Sequence, residues 1–345
     1  MPSPGYPRIF PMNADLTAPS TRRFVAIDPQ DQTLSIDSGA TPAPEPGEVL
    51  IKVCAAGLNR ADLLQRMGLY PPPADASPIM GLEVSGTVVG TGSDVHDWQI
   101  GDDICALTHG GGYADYTVAP VSQCLPIPEG MSLVDAAALP EALLTVWHNL
   151  FQRCQLKEGE TVLIHGGASG IGTLGISLCA AMGFEVYTTA GTDEKCAAAV
   201  ELGAKAAFNY KTEDFEQALR ARDMGDKINV ILDMAGGDFV QKNLNIAAPE
   251  GRIVYIAFIR GFDAEVNFLP MLTKRLVLTG STLRAQSFAQ KAVMVQEIME
   301  RVYPLLNAGR IRPTIDSVLP LAQVSEAHAR MEAGGHMGKI LLAMD

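Results

Sequence analysis

Hydrophobic and polar positions change rhythm twice along the chain. Over about residues 22–140, short β-branched runs recur at residues 23–27, 49–53, 84–89 and 113–118. Glycine and proline punctuate them, as in Pro42-Ala-Pro-Glu-Pro-Gly47 and Tyr70-Pro-Pro-Pro73. That spacing predicts a small, irregular β domain of barrel or sandwich type. Within it, residues 57–68 have helical spacing, with Leu58, Leu63 and Leu64 apolar between polar neighbours. From about residue 141 to residue 284, six short apolar runs alternate with helical segments: residues 162–164, 185–190, 206–210, 228–233, 252–258 and 276–280. Apolar strands separated by helices predict a parallel sheet covered on both faces, wound by right-handed crossovers into a doubly wound α/β fold. The remaining stretch opens with a helical pattern over residues 288–306 and adds two strand-like runs, 315–319 and 340–343. It is too short to stand alone, so it is expected to rejoin the β domain. The expected organisation is a leader over residues 1–20, a β domain made of 21–142 and 285–345, and the doubly wound domain, 143–284, inserted between its halves.

Composition narrows the classes. Of 345 residues, 47% are hydrophobic and 19% charged, which suits two folded domains and excludes a disordered chain. A net charge of −13 argues against nucleic acid and anionic membranes as partners. No apolar run reaches the roughly 18 residues of a membrane-spanning helix. The first 20 residues hold five prolines and no continuous apolar stretch, so they read as the loose leader of a cytoplasmic protein rather than a signal peptide. The six cysteines lack CxxC or metal-ligand spacing and are expected to be reduced and mostly buried.

The clearest chemistry lies at Val162-Leu-Ile-His-Gly-Gly-Ala-Ser-Gly-Ile-Gly-Thr-Leu-Gly175. The pattern Gly170-x-Gly172-x-x-Gly175 follows an expected strand and opens an expected helix, the context a dinucleotide site requires. Glycine lets backbone approach a pyrophosphate closely, and the helix start offers free N–H groups with a partial positive charge. Ser169 adds a hydroxyl, and Ser169, Gly170, Ile171 and Gly172 are the expected contacts. The end of the next strand selects the cofactor. An NAD site carries an acid there for the ribose 2′-hydroxyl, yet the strand ends on Ala190-Gly191. Thr192, Lys195 and Tyr210 suit a 2′-phosphate, which favours NADPH. Asp193 and Glu194 oppose this if they point inward.

These residues resemble the medium-chain dehydrogenase/reductase superfamily, in its zinc-free quinone oxidoreductase branch. The matching motifs run nearly end to end: Pro46-Gly-Glu-Val49, Gly57-Leu-Asn-Arg-Ala-Asp62, Gly81-x-Glu83-x-x-Gly86, Gly101-Asp102, Gly110-Gly-Gly-Tyr-Ala114, Leu139-Pro-Glu-Ala142 and Gly338-Lys-Ile340. Asn59 to Asp62, the Ser169 turn and Asn209-Tyr-Lys-x-Glu-Asp-Phe215 are similar to the stress-inducible, apoptosis-associated NADPH quinone reductases within that branch. The resemblance implies a Rossmann domain inserted in a GroES-like irregular β-barrel domain.

It also implies site roles. Zinc-dependent relatives have Cys where Asn59 stands and His where Leu82 stands, so no metal is expected. Without that Lewis acid the substrate must already accept hydride readily, as a quinone does. The implied arrangement places NADPH between the domains, its nicotinamide toward Asn59, Tyr70 and Thr145, with Phe258 and Leu283 beside it. Asn59 and Tyr70 are the candidate catalytic residues, although a helix cap and a turn residue are the plainer readings of each. Glu83 reads as a buried structural acid paired with an arginine. The six histidines are expected in structural roles. Relatives are often homodimers joined through the last strand of the parallel sheet, here residues 276–280. Two alternatives stay open: a reductase of activated enones or enoyl thioesters, and a cofactor-binding protein with little turnover.

Overall fold

The structure, a computed structural model, describes residues 17–344, so most of the expected leader lies outside the described residues. The chain divides into two compact units.

The first unit comprises the chain through Glu141, then Arg284–Asn307 and Ile315–Asp345. Its strands are β1 (Thr21–Ile27), β2 (Leu34–Ala40), β3 (Glu48–Gly57), β4 (Glu83–Thr91), β5 (Asp103–Leu107), β6 (Tyr116–Pro120) and β7 (Cys124–Pro126). After the second unit's strands β8–β13, described below, the chain returns with β14 (Ile315–Pro320) and β15 (Lys339–Ala343). β1 and β2 form an antiparallel ribbon. The rest form a seven-stranded sheet ordered β14-β15-β3-β4-β5-β7, with β6 also on β3. β3 changes partner along its length: Glu48–Lys52 pairs with β6, while Ala55–Gly57 pairs with β15. Bulges at Leu50/Ile51 and Val53/Ala55 supply the bend that lets one strand serve both. Val49, Ile51, Val84, Val88 and Ile104 are fully buried in the core so enclosed.

The second unit comprises Ala142–Leu283 and Ala308–Thr314. Its six strands are β8 (Thr161–His165), β9 (Glu185–Ala190), β10 (Ala206–Asn209), β11 (Ile228–Asp233), β12 (Ala247–Tyr255) and β13 (Val277–Gly280). They form an all-parallel sheet ordered β10-β9-β8-β11-β12-β13. The order reverses direction between β8 and β11, which makes that crevice the ligand end of the sheet. Val162, Leu163, Ile164, Ile231 and Leu232 are fully buried, as strands covered on both faces must be.

Several sequence expectations shift. The helix expected over 57–68 is shorter, Arg60–Arg66, because β3 continues through Gly57 and Asn59 keeps an extended backbone. The helix expected over 288–306 is two, Phe288–Arg301 and Tyr303–Asn307. Pro304 has no backbone N–H to continue the first ladder. Residues 308–314 belong to the second unit, and Arg284 to the first. All six cysteines are free, and five are buried.

Candidate functional site

In the second unit, the glycine turn joins β8 to the helix Gly170–Ala181 at the point where the strand order reverses. Ser169 caps that helix: its hydroxyl accepts the Gly172 N–H at 2.9 Å. The Ser169 hydroxyl is therefore occupied by its own helix, and its proton faces Met234 Sδ at 3.4 Å. Gly170 and Ile171, in the first turn, have N–H groups with no helical carbonyl to bind. A Cβ on Gly172 would stand 2.2 Å from the Gly166 carbonyl oxygen, so only glycine permits this turn. The turn thus fits a dinucleotide pyrophosphate in both shape and donors.

Next to it, β9 ends on buried Ala190. Thr192 caps the helix Asp193–Glu201, accepting the Lys195 N–H at 3.2 Å. The Tyr210 hydroxyl sits over Gly191, 2.9 Å from where a Cβ would be, with Lys211 Cε at 3.6 Å. The Asp193 carboxylate accepts from Asn209 Nδ2 at 2.6 Å. The carboxylate keeps its charge but has its own hydrogen-bond partner on the next strand. Two cations escape sequence reading here. Lys211 is hidden inside the Asn209-Tyr-Lys motif, and Arg260 lies 5.3 Å from the Tyr210 ring centre although it is distant in sequence. Arg260 is held by Asp238 at 2.7 Å. Thr145 and Leu283 are buried, and Phe258, past the end of β12, is stacked on Tyr255 with ring centres 5.4 Å apart. Buried His165 bridges Thr189 and Asn243, an ordinary structural role.

In the first unit, a buried polar cluster gathers around Glu83, at the start of β4. Glu83 is completely buried and pairs with the Lys339 ammonium, not with an arginine. Sequence reading missed Lys339 because it lies 256 residues away, at the first position of β15. Lys339 also donates to Asn59 Oδ1 at 2.7 Å and the Leu58 carbonyl at 3.0 Å. Asn59 Nδ2 donates to Glu83 Oε1 at 2.9 Å. Both ends of the Asn59 amide are thus engaged by buried charges. The Asp62 carboxylate accepts the Asn59 backbone N–H at 2.8 Å and the Tyr113 hydroxyl at 2.9 Å. Burial pushes Asp62 up to about 6 against these hydrogen bonds. Glu141 donates its backbone N–H to Glu83 Oε2 at 2.8 Å. Its own carboxyl is pushed up to about 8, first by desolvation and then by the Glu83 charge. Tyr70 is partly buried, and its ring centre lies 5.7 Å from the Arg284 guanidinium carbon.

Comparison with known proteins fits both units. A family profile described as alcohol dehydrogenase GroES-like domain matches residues 45–129, and one described as zinc-binding dehydrogenase matches residues 202–342. The chain is 32% identical over 309 residues to quinone oxidoreductase-like protein 2 of Bos taurus, covering 88% of this chain and 87% of that protein. The chain belongs to the medium-chain dehydrogenase/reductase superfamily. It is also 31% identical over 320 residues to the human synaptic vesicle membrane protein VAT-1 homolog, covering 88% of this chain and 80% of that protein. The solved structure of a mycobacterial quinone oxidoreductase superposes with a TM-score of 0.81 at 25% identity, covering 94% of this chain and all of that one. The protein is therefore an oxidoreductase of the medium-chain type, with an NAD(P)-binding Rossmann domain and a GroES-like domain. Among the described residues, no helix is long and apolar enough to cross a membrane.

The superfamily's zinc does not fit this cluster. Asn59 offers a weak amide oxygen where zinc relatives have a thiolate, and that oxygen is taken by an ammonium group 2.7 Å away. A cation at the same oxygen would be repelled by Lys339. Leu82 has no donor atom at all, and no group of three or more His, Cys, Asp or Glu among the described residues is placed to hold a metal.

Two outcomes follow from this cluster. Lys339→Met leaves Glu83 buried and unpaired, so it should lower stability by about 3–5 kcal/mol. The double variant Glu83→Gln, Lys339→Met should recover most of that loss in thermal melts; equal losses in both would contradict the pairing. Glu141 ionises near its usual 4.5 in the unfolded chain but only near 8 in the folded one. Folding is therefore progressively disfavoured as pH rises between those values. Glu141→Gln should gain melting temperature relative to wild type as pH rises from 5 to 8.5. A constant difference across that range would contradict the burial argument.

Proposed function

We propose that this oxidoreductase is an NADPH-dependent, zinc-independent reductase of quinones, akin to the stress-inducible branch. The observation that carries the reading is the Lys339 ammonium bonded to Asn59 where a metal-binding thiolate would be needed. With no Lewis acid to polarise a simple carbonyl, the acceptor must be electrophilic by itself, and a quinone is.

When bound, the nicotinamide supplies the hydride. The chain's own residues bind and orient. Gly170 and Ile171 N–H groups receive the pyrophosphate, with Ser169 and Gly172 holding the turn in shape. Thr192, Lys195, Tyr210 and the newly seen Lys211 receive the 2′-phosphate, beside a strand end that lacks the NAD-selecting acid. Thr145, Phe258 and Leu283 border the nicotinamide. Tyr70 walls the quinone. Asn59 acts through Glu83 and Lys339 as a positioning residue. A homodimer is proposed through the edge of β13, where Val277 is 51% exposed and the nearby Leu272 is 73% exposed. An apolar strand edge of this kind favours pairing with a second copy. The proposed setting is cytoplasmic.

Steady-state assays with NADPH and NADH, against a panel of quinones and a crotonyl thioester, test this reading. NADPH-dependent turnover should be fastest with quinones, and NADPH should bind more tightly than NADH. Lys195→Ala should cost about 1–3 kcal/mol of NADPH affinity and little for NADH. Equal affinity for the two cofactors, or faster turnover of the thioester than of every quinone, would overturn it.

A further inference from the structure

Arg284 lies four residues past the end of β13, is only 7% exposed, and packs within the first unit. Two contacts hold it. Its Nη1 donates to Gln65 Oε1 at 2.8 Å. Gln65 is itself fixed by its Nε2, which donates to the Pro78 carbonyl at 3.0 Å. The Tyr70 ring covers the guanidinium at 5.7 Å. Neither contact uses Nε or Nη2, and both of these nitrogens are buried with no hydrogen-bond partner.

Nε–H and one Nη2–H of a guanidinium point the same way from one edge of its plane. Together they form a fork whose spacing matches the two oxygens of a carboxylate. A buried charged donor pair left without an acceptor is costly, and such groups are rare in folded proteins. Here the pair is held in place by contacts that leave the fork alone.

Among the described residues, no carboxylate hydrogen-bonds the fork. Glu83 is engaged by Lys339, Asn59 and the Glu141 N–H. Asp62 is engaged by Asn59 and Tyr113. Glu141, whose charge would favour the guanidinium, keeps its proton at neutral pH. A second cation stands close: Lys291 is 1% exposed, and its Nζ donates to the Arg284 carbonyl at 3.2 Å. Two buried cations thus lie together; Asp62 stands near enough to Arg284, and Asp75 to Lys291, to act on their charge, yet neither hydrogen-bonds the fork.

We propose that Arg284 recognises a carboxylate on the acceptor, so that the substrates favoured at this site are quinones bearing an acid group. The substrate class rests on the quinone reading above; the carboxylate recognition does not. The Tyr70 ring, partly buried beside exposed Leu69, covers the guanidinium, so this recognition requires it to move aside.

Two measurements on the full chain separate these parts. The first is calorimetric binding of 2-naphthoate, which cannot be reduced as a quinone, compared with methyl 2-naphthoate. Wild type should bind the acid at least tenfold more tightly than the ester. Arg284→Met should abolish the preference, and Arg284→Lys, which keeps the charge but loses the fork, should retain only part of it. Melting temperatures of both variants establish that they fold; if Arg284→Met does not, the lysine variant decides. The second is kcat/KM for a naphthoquinone carboxylic acid and its methyl ester. The acid should be preferred at least tenfold by wild type, and Arg284→Met should lose that preference while ester turnover stays within about threefold. Equal binding of acid and ester by wild type, or equal losses on both in Arg284→Met, would overturn the proposal. Selective naphthoate binding through Arg284 without turnover of any quinone would uphold the fork and overturn the quinone reading instead.

Discussion

The first unit is organised around a charge that cannot reach water. Glu83 is wholly buried at the start of β4, and everything near it is arranged to satisfy it. Lys339 comes from the first residue of β15, Asn59 from the chain just after β3, and the Glu141 N–H from the segment leading out of the unit. An unpaired buried carboxylate would be costly, so the strands that carry its partners must meet in one register. This explains why the C-terminal segment rejoins a domain begun nearly three hundred residues earlier. The same arrangement spends the Asn59 amide on structure and sets an ammonium where a metal would be repelled.

The two units solve different problems with different physics. The second makes its ligand end from backbone: a glycine turn at the strand-order reversal, helix N–H groups, and a strand tip short enough for the Tyr210 hydroxyl to lie over Gly191. The first works with side-chain charges in a poorly solvated setting, which raises Asp62 and Glu141 and leaves the Arg284 fork unmatched. A backbone site suits a cofactor shared by many relatives.

What the sequence made legible follows from range. The parallel sheet shows because each of its strands is a short apolar run, bounded by helices with their own period. The glycine turn shows because its chemistry is local, five or six residues long. The ribbon strand β2 does not show: Leu34–Ala40 is polar and largely exposed, so it lacks alternation. β7, three residues ending in proline, is too short to carry a pattern. Lys339, Lys211 and Arg260 were missed for a related reason. Each matters through a partner in space, and a lone basic residue has no periodicity. Arg284 was assigned to the wrong domain because it directly follows the last parallel strand, and only packing shows which core it joins. Ser169 lies in the turn, but its hydroxyl caps the following helix, which a sequence pattern does not reveal.

In the proposed function, the Glu83–Lys339–Asn59 cluster stands in place of a metal, and the enzyme depends on an already electrophilic acceptor. Metal analysis of the purified full chain, paired with quinone reductase activity before and after exhaustive chelation, decides between the cluster and a metal. Zinc should be well below one per chain, and activity should be unchanged after chelation. One zinc per chain, with activity lost on its removal and restored by its return, would contradict the proposed function.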